Sequence, residues 1–157
     1  MKDEQEVCSI FNKSLKLCFK IPDPSGDFAH TIERPFDHFG AYNRKPLYVE
    51  TKFLRGMQSF NLQGKIQDHQ MKWLLDFKEQ VDDAECWIVL GINVARGDQR
   101  LYIWRVLKEV STRRINKDNF LKKELETLPY FPVHKGVIDL NKNLFADQKS
   151  LNMEEEK

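Results

Sequence analysis

The 157-residue chain is poor in cysteine, and Cys8, Cys18 and Cys86 form no CxxC pair and no Cys/His ligand spacing. That leaves no residues for a structural zinc site or a disulfide framework. Cys18 and Cys86 lie in the apolar runs LKLCFKI and ECWIVLG and are expected as buried free thiols. Long hydrophobic runs are also missing. Nothing approaches the roughly 18 apolar residues of a membrane span, and the polar, acidic opening MKDEQEV has the character of neither a signal nor a transit peptide. The expectation is a cytoplasmic protein with no membrane association. There is no Gly-rich phosphate loop, no Ser/His/Asp order and no Cys/His nucleophile pair, so P-loop and covalent acyl-transfer chemistry have no carrier. A large excess of either charge is absent too, the formal net charge being +1.

The distribution of charge says more than its sum. Arg44, Lys45, Lys52 and Arg55 stand against Glu50 alone. Arg105, Lys108, Arg113, Arg114, Lys117, Lys122 and Lys123 stand against Glu109 and Asp118, while Glu154, Glu155 and Glu156 close the chain. Basic surfaces balanced by distant acids are compatible with a phosphate-binding face. For any one residue, a solvated helix face explains the charge equally well.

Length and composition suit one domain, expected over residues 1–145, with a frayed polar tail over 146–157. Val7, Ile10, Phe11 and Leu15 predict an amphipathic helix over 3–17, with acids in its first turn. LCFKI predicts a strand over 17–21, ended by Pro22-Asp23-Pro24-Ser25-Gly26. Residues 36–42 and 47–53 read as a hairpin around Asn43-Arg44-Lys45-Pro46. Ile66, Trp73, Leu74, Phe77 and Val81 predict a helix over 66–81, and polar Gln70 falls on that apolar stripe, where it needs a partner. Residues 86–94 and 101–106 read as two strands turned by Gly97-Asp98, 116–128 as a helix and 133–140 as a last strand. The pattern argues for a mixed sheet flanked by helices, an α/β fold. Trp73, Trp87 and Trp104 are expected in the core.

One constellation carries chemistry. In the second hairpin strand Glu50 and Lys52 point the same way, roughly 7 Å apart, and Asp37 stands on the first strand. If pairing brings Asp37 opposite, two carboxylates and an ammonium converge. That set suits phosphodiester hydrolysis. Asp37 and Glu50 offer hard oxygen ligands to Mg²⁺, with Mn²⁺ as a substitute, and the Thr51 carbonyl completes the shell. The metal activates water and neutralises transition-state charge. Lys52 holds the phosphate or orients the water, and Gln70 positions Lys52 or the water. Arg44, Lys45, Arg55, Lys65 and His69 are candidates for DNA contacts. His38 alternates away from Asp37 and reads as structural or DNA-contacting.

The run PFDHFGAYNRKPLYVETKF resembles the PD-(D/E)xK nuclease signature and, more narrowly, the RecU-type Holliday junction resolvases. Their D-x-x-G-x-Y start is followed by a turn and an E-x-K strand. SFNLQGKIQDHQMKWLL is similar to that family's segment with a His-Gln pair opening a helix, and RINKDNFLKKELETLPY to its C-terminal basic-acidic helix. The resemblance spans residues 36–140 in order. It implies a restriction-endonuclease-like fold, with a mixed central sheet flanked by helices. It also implies metal-dependent cleavage of four-way DNA junctions by a homodimer. Asp37 and Glu50 would be the metal ligands, Lys52 the catalytic lysine and Gln70 its support. Related archaeal resolvases add an acid from the first helix. Glu6 is the first candidate here, with Glu4 or Asp3 as substitutes. The chain departs from the family in the short stretch Ile21 to Pro35, where the family carries a stalk that enters the junction. A flap or duplex endonuclease of the same chemistry, a DNA-binding module without turnover, and a structural or partner-binding domain with no nucleic-acid role are the competing readings. Phe28, Phe39 and Phe60 are candidates for a dimer contact.

Overall fold

The computed structural model describes residues 1–22, 34–107 and 119–140. Helix α1 (Glu4–Ser14) begins where the Asp3 carboxylate accepts from the Glu6 N–H at 3.0 Å, satisfying a donor that the first turn leaves free. Its apolar residues Val7, Ile10 and Phe11 are buried together with Cys8. Strand β1 (Cys18–Lys20) follows. Strands β2 (His38–Tyr42) and β3 (Lys45–Leu54) form the hairpin, closed by the two residues Asn43 and Arg44 at φ +49° and +63°. Two successive positive φ values give the turn whose twist matches that of the flanking strands. Asn tolerates this region well, and Arg44 is held there by the pairing on either side.

A short strand β4 (Phe60–Asn61) and one-turn helix α2 (Leu62–Lys65) lead into α3 (Asp68–Gln80). Then come β5 (Glu85–Ala95), β6 (Asp98–Arg105), β7 (Asn119–Phe120), the one-turn α4 (Lys122–Leu125) and β8 (Tyr130–Pro132). The main sheet has six strands in the order β1-β2-β3-β5-β6-β8, and β4 pairs with β7 in a separate two-stranded sheet. Among the described residues only β3 and β5 run parallel, because α3 carries the chain between them, and the other pairings are antiparallel. The chain is thus an α/β protein with a mixed sheet.

Alternation along β5 defines two apolar layers. Cys86, Ile88, Leu90 and Ile92 join Leu54, Leu62, Ile66, Met71 and Leu74 beneath α3. Trp87 and Val89 join Leu47, Val49, Val7, Ile10 and Phe11 beneath α1. A strand buried on both faces reads as a continuous apolar run, as CWIVLGINV does. Gly91 lets α1 approach closely. A Cβ there would stand 2.3 Å from Val7 Cγ2 and 3.1 Å from Met1 Sδ.

Several expected elements shift. The helix predicted over 66–81 starts at Asp68, and Ile66 instead caps α2 with its side chain fully buried. Trp73 is 41% exposed, on the outer face of α3 with Lys72 Nζ 5.6 Å from its ring, while Trp87 and Trp104 are core. Of the helix predicted over 116–128, residues 116–118 lie outside the described residues. Asn119 and Phe120 are strand because Phe120 stacks on Phe60 at 5.3 Å, and only Lys122–Leu125 is helical. The strand predicted over 133–140 is replaced by Tyr130–Pro132, which pairs β6. Beyond it the chain turns through Lys135 and Gly136 at positive φ, leaving a single bridge between His134 and Val137. Phe28, His30, Lys108, Glu109, Arg113, Arg114, Lys117, Asp118 and the tail 146–157 lie outside the described residues. Phe60 is buried; Phe39 is 44% exposed. No helix among the described residues is long and apolar enough to cross a membrane.

The Gly91→Ala variant should lose about 1–3 kcal/mol of unfolding free energy through overpacking against Val7, read from urea denaturation at constant m-value. A midpoint equal to that of the wild type would show that α1 has room to withdraw from β5.

Candidate functional site

Strand β3 outruns β2. The hairpin pairing reaches Val49, opposite His38, and the β2 side of residues 50–54 has no strand beside it. Asp37, the residue before β2, continues the backbone ladder through its N–H to the Val49 carbonyl (3.0 Å) and its own carbonyl from the Ile21 N–H (2.8 Å). Its side chain then takes the place of the missing strand. Asp37 Oδ2 accepts from the Thr51 N–H at 2.8 Å and from Thr51 Oγ1 at 2.6 Å. Because the Thr51 hydroxyl proton goes to Asp37, the Cys8 thiol, 2.8 Å from Thr51 Oγ1, is the donor in that contact. Burial and then the Asp37 charge push the Cys8 pKa up to about 11, which keeps the thiol protonated for this role. In a strand the N–H and C=O of one residue face the same side, so the Thr51 carbonyl also faces the space beyond β2.

Glu50 and Lys52 project from β3 toward α3, both buried at 1% and 8% exposure. Glu50 Oε1 accepts from Lys52 Nζ at 2.9 Å and from Gln70 Nε2 at 2.6 Å. The Gln70 amide has no choice of orientation. Its Oε1 accepts from the Gln67 N–H at 3.1 Å at the start of α3, so its Nε2 is the end that faces Glu50. Glu50 Oε2 is buried and has no hydrogen-bond partner among the described residues. Leaving an acceptor of a buried carboxylate unmade costs on the order of 1–3 kcal/mol.

Glu4 enters from α1 on the other side of the sheet edge. Oxygens of Glu4, Asp37 and Glu50 lie within 4.8 Å of one another, and Lys52 Nζ is 3.7 Å from Glu4 Oε1. Arg34 Nη2 pairs with Asp37 Oδ1 at 2.7 Å, and its Nη1 donates to the Ile21 carbonyl at 3.2 Å. Glu4, Cys8, Lys20, Arg34 and Asp37 line a cavity of about 200 Å³ beside the cluster. Burial, followed by the nearby Asp37 charge, pushes the Glu50 pKa from 4.5 up to about 7 against the pull of Lys52. Burial likewise raises Glu4. Burial works against the Lys52 ammonium, but Glu50 and Glu4 outweigh it and lift its pKa above the ordinary value.

The structure brings together Asp37, Glu50, Thr51, Lys52 and Gln70. It does not bring Glu6 to them. The Glu6 carboxylate accepts from the Lys2 N–H at 2.8 Å, at the start of α1. Glu4 is the acid at the site because it shares the stripe of Val7, Cys8 and Phe11, at i+3, i+4 and i+7, which packs on the sheet. That spacing was the available signal. Asp3 is the N-cap. Arg34 had no sequence signal beyond standing three residues before Asp37. Of the basic residues, Arg55 follows the end of β3, Lys65 ends α2, and His69 precedes Gln70 in the first turn of α3. Arg44 and Lys45 sit at the hairpin tip, where Lys45 lies five residues of strand, about 16 Å, from Glu50. His38 is fully buried against Phe11, ring centroids 5.5 Å apart, with neither ring nitrogen hydrogen-bonded among the described residues, which places it in the core. Burial pushes its pKa down to about 4, and it is neutral near pH 7.

No protein-family profile matches this sequence, and no curated protein matches it significantly.

In metal-free protein the raised Glu50 pKa has a definite sign. The folded chain holds this proton more tightly than the unfolded one, so the contribution is full below pH 4.5 and is lost as pH rises through 7. The loss amounts to roughly 3 kcal/mol. In EDTA the Glu50→Gln variant should therefore be the more stable protein at pH 8, with the advantage vanishing near pH 4. Urea denaturation of both proteins at the two pH values measures it, and the opposite order at pH 8 would show that the Lys52 ion pair outweighs burial.

Proposed function

We propose that this chain is a metal-dependent DNA endonuclease of the restriction-endonuclease-like fold, acting on branched DNA in the manner of a Holliday junction resolvase. The observation that carries the reading is Glu50. It is a buried carboxylate with one oxygen held by Lys52 and Gln70 and the other unpartnered, within reach of Asp37 and Glu4. An oxygen-only donor set of this kind suits Mg²⁺ or Mn²⁺ rather than zinc.

Glu4, Asp37 and Glu50 would hold the cation, with the Thr51 carbonyl facing the same space. When bound, the cation supplies Lewis-acid neutralisation of phosphoryl charge and a water of lowered pKa. The chain's own residues supply the rest. Gln70 fixes the rotation of the Glu50 carboxylate, since its amide is itself locked by the Gln67 N–H. Thr51 and Cys8 fix Asp37 in the same way from the opposite face. Lys52 keeps its charge at neutral pH and places it beside the carboxylates, where it holds a non-bridging oxygen of the scissile phosphate and offsets charge in the transition state. Arg55, Lys65 and His69 are the phosphate contacts that set the register of the duplex.

The mixed sheet, with an acidic hairpin followed by a helical crossover to a parallel strand, supports the fold assignment. Symmetric scission of a junction requires two sites, so a homodimer is the working assembly. The same chemistry would serve a flap or a linear duplex, and the substrate comparison below separates these.

A labelled four-way junction and a matched linear duplex should be incubated with Mg²⁺, Mn²⁺ or EDTA. The wild type should nick the junction symmetrically with either metal and not in EDTA. Asp37→Ala and Lys52→Met should each reduce the rate by at least 10²-fold, and Gln70→Ala by about 10-fold, a magnitude expected for residues that orient ligands. Equal cutting of both substrates would remove the junction preference and keep the nuclease. A folded protein that binds the junction and cleaves nothing with any metal would replace the nuclease by a DNA-binding module.

A further inference from the structure

Asp37 has no free oxygen. Oδ2 accepts from both the N–H and the hydroxyl of Thr51, and Oδ1 is paired with the Arg34 guanidinium at 2.7 Å. Yet Asp37 is 1% exposed and stands within 4.8 Å of Glu4 and Glu50. A cation already occupies this corner of the cluster, and it belongs to the protein.

We propose that Arg34 is the resident counter-ion of the metal site, competing with a divalent cation for Asp37 Oδ1. This inference rests on the metal-dependent reading above. Three carboxylates meet here, with Lys52 directed to Glu50 and Glu4 and Arg34 directed to Asp37. Without Arg34, Asp37 would be a buried carboxylate facing two others without its one direct ion pair among the described residues, left with the less direct charges of Lys52 and Lys20, a costly arrangement. With Arg34 the cluster is tolerated before any metal arrives. The same contact weakens metal binding, because a divalent cation at Oδ1 must share the oxygen with a guanidinium or displace it. Two cations on one carboxylate oxygen repel strongly in a poorly solvated site.

Geometry permits displacement. The Arg34 side chain is 20% exposed, against 1% for Asp37, and it lines the cavity beside the cluster together with Lys20. Its second hydrogen bond, to the Ile21 carbonyl, anchors one edge of the guanidinium while the other edge turns from Asp37. A guanidinium released there is well shaped for two oxygens of a phosphodiester. Arg34 is thus a positioning residue that makes the free protein a weak metal binder and gives the incoming phosphate a partner.

The test is Mn²⁺ affinity of the free protein, by isothermal titration calorimetry and by the metal-induced rise in melting temperature, for wild type, Arg34→Gln and Arg34→Lys. Arg34→Gln should bind Mn²⁺ about tenfold more tightly than wild type, melt lower in EDTA and show the larger rise on adding metal. Arg34→Lys should stay close to wild type. A residue that merely supported the fold would weaken metal binding when removed. Arg34→Gln binding Mn²⁺ no more tightly than wild type, while wild type binds it, overturns the counter-ion role and leaves the metal site intact. No Mn²⁺ binding by any folded form overturns the metal-dependent reading and this inference with it.

Discussion

Everything at the site hangs on one substitution of a side chain for a backbone. Past Val49, strand β3 loses β2, and a buried N–H at Thr51 has to be satisfied by something else. Asp37 satisfies it with a carboxylate. A neutral acceptor would have closed the edge quietly. A carboxylate closes it and at the same time leaves negative charge at the rim of the sheet, where α1 from one face and α3 from the other deliver Glu4 and Gln70. The hairpin turn at Asn43 and Arg44 sets the register that makes this happen. A shift of one residue would exchange the two faces of β3 and send Glu50 into the apolar layer under α1.

The cost of the arrangement is visible in what stays unsatisfied. The two apolar layers are built from aliphatic and aromatic side chains packed on β5, and Asp37, Glu50 and Lys52 are charged groups set into the edge of that packing. One oxygen of Glu50 finds no partner. Buried polar groups are nearly always paired, so an exception held in place by Lys52, by Gln70 and indirectly by Gln67 is a maintained one. Burial, and then the Asp37 charge, raises the Glu50 pKa, which works against the metal-free fold at neutral pH. His38 adds a second buried polar group without hydrogen-bond partners among the described residues, on the opposite face against Phe11; its unmade bonds weigh on stability at every pH, and its lowered pKa adds a further loss in acid.

Much of this was legible in the order of residues. Alternation in LYVETKF places Glu50 and Lys52 on one face and Thr51 on the other. A lone Gln70 on an apolar stripe demands a partner, and Glu50 is that partner. What failed to show were relations between elements. Choosing Glu4 over Glu6 requires knowing which helical stripe meets the sheet, and Val7, Cys8 and Phe11 decide it only once α1 is docked. Trp73 follows helical spacing, yet α3 packs through Met71 and Leu74 and leaves the indole outside. Arg34 falls in no periodic pattern at all.

The division of labour between α1 and α3 follows from this. Glu50 and Lys52 belong to a strand buried on both faces and flanked by β5, so their positions are fixed as firmly as the sheet itself. Glu4 depends on a single helix whose approach is permitted by Gly91, and its carboxylate is the most exposed of the three, with 45% of the side chain accessible. The rigid half of the cluster therefore lies on β3, and the adjustable half on α1 together with Arg34. A ligand that pulls the three acids together would do so by drawing α1 onto the sheet edge and turning Arg34 outward, with β3 as the fixed jaw. In that arrangement the free energy released by neutralising the acids is available to order α1, and the stability of the N-terminal helix becomes coupled to occupancy of the site.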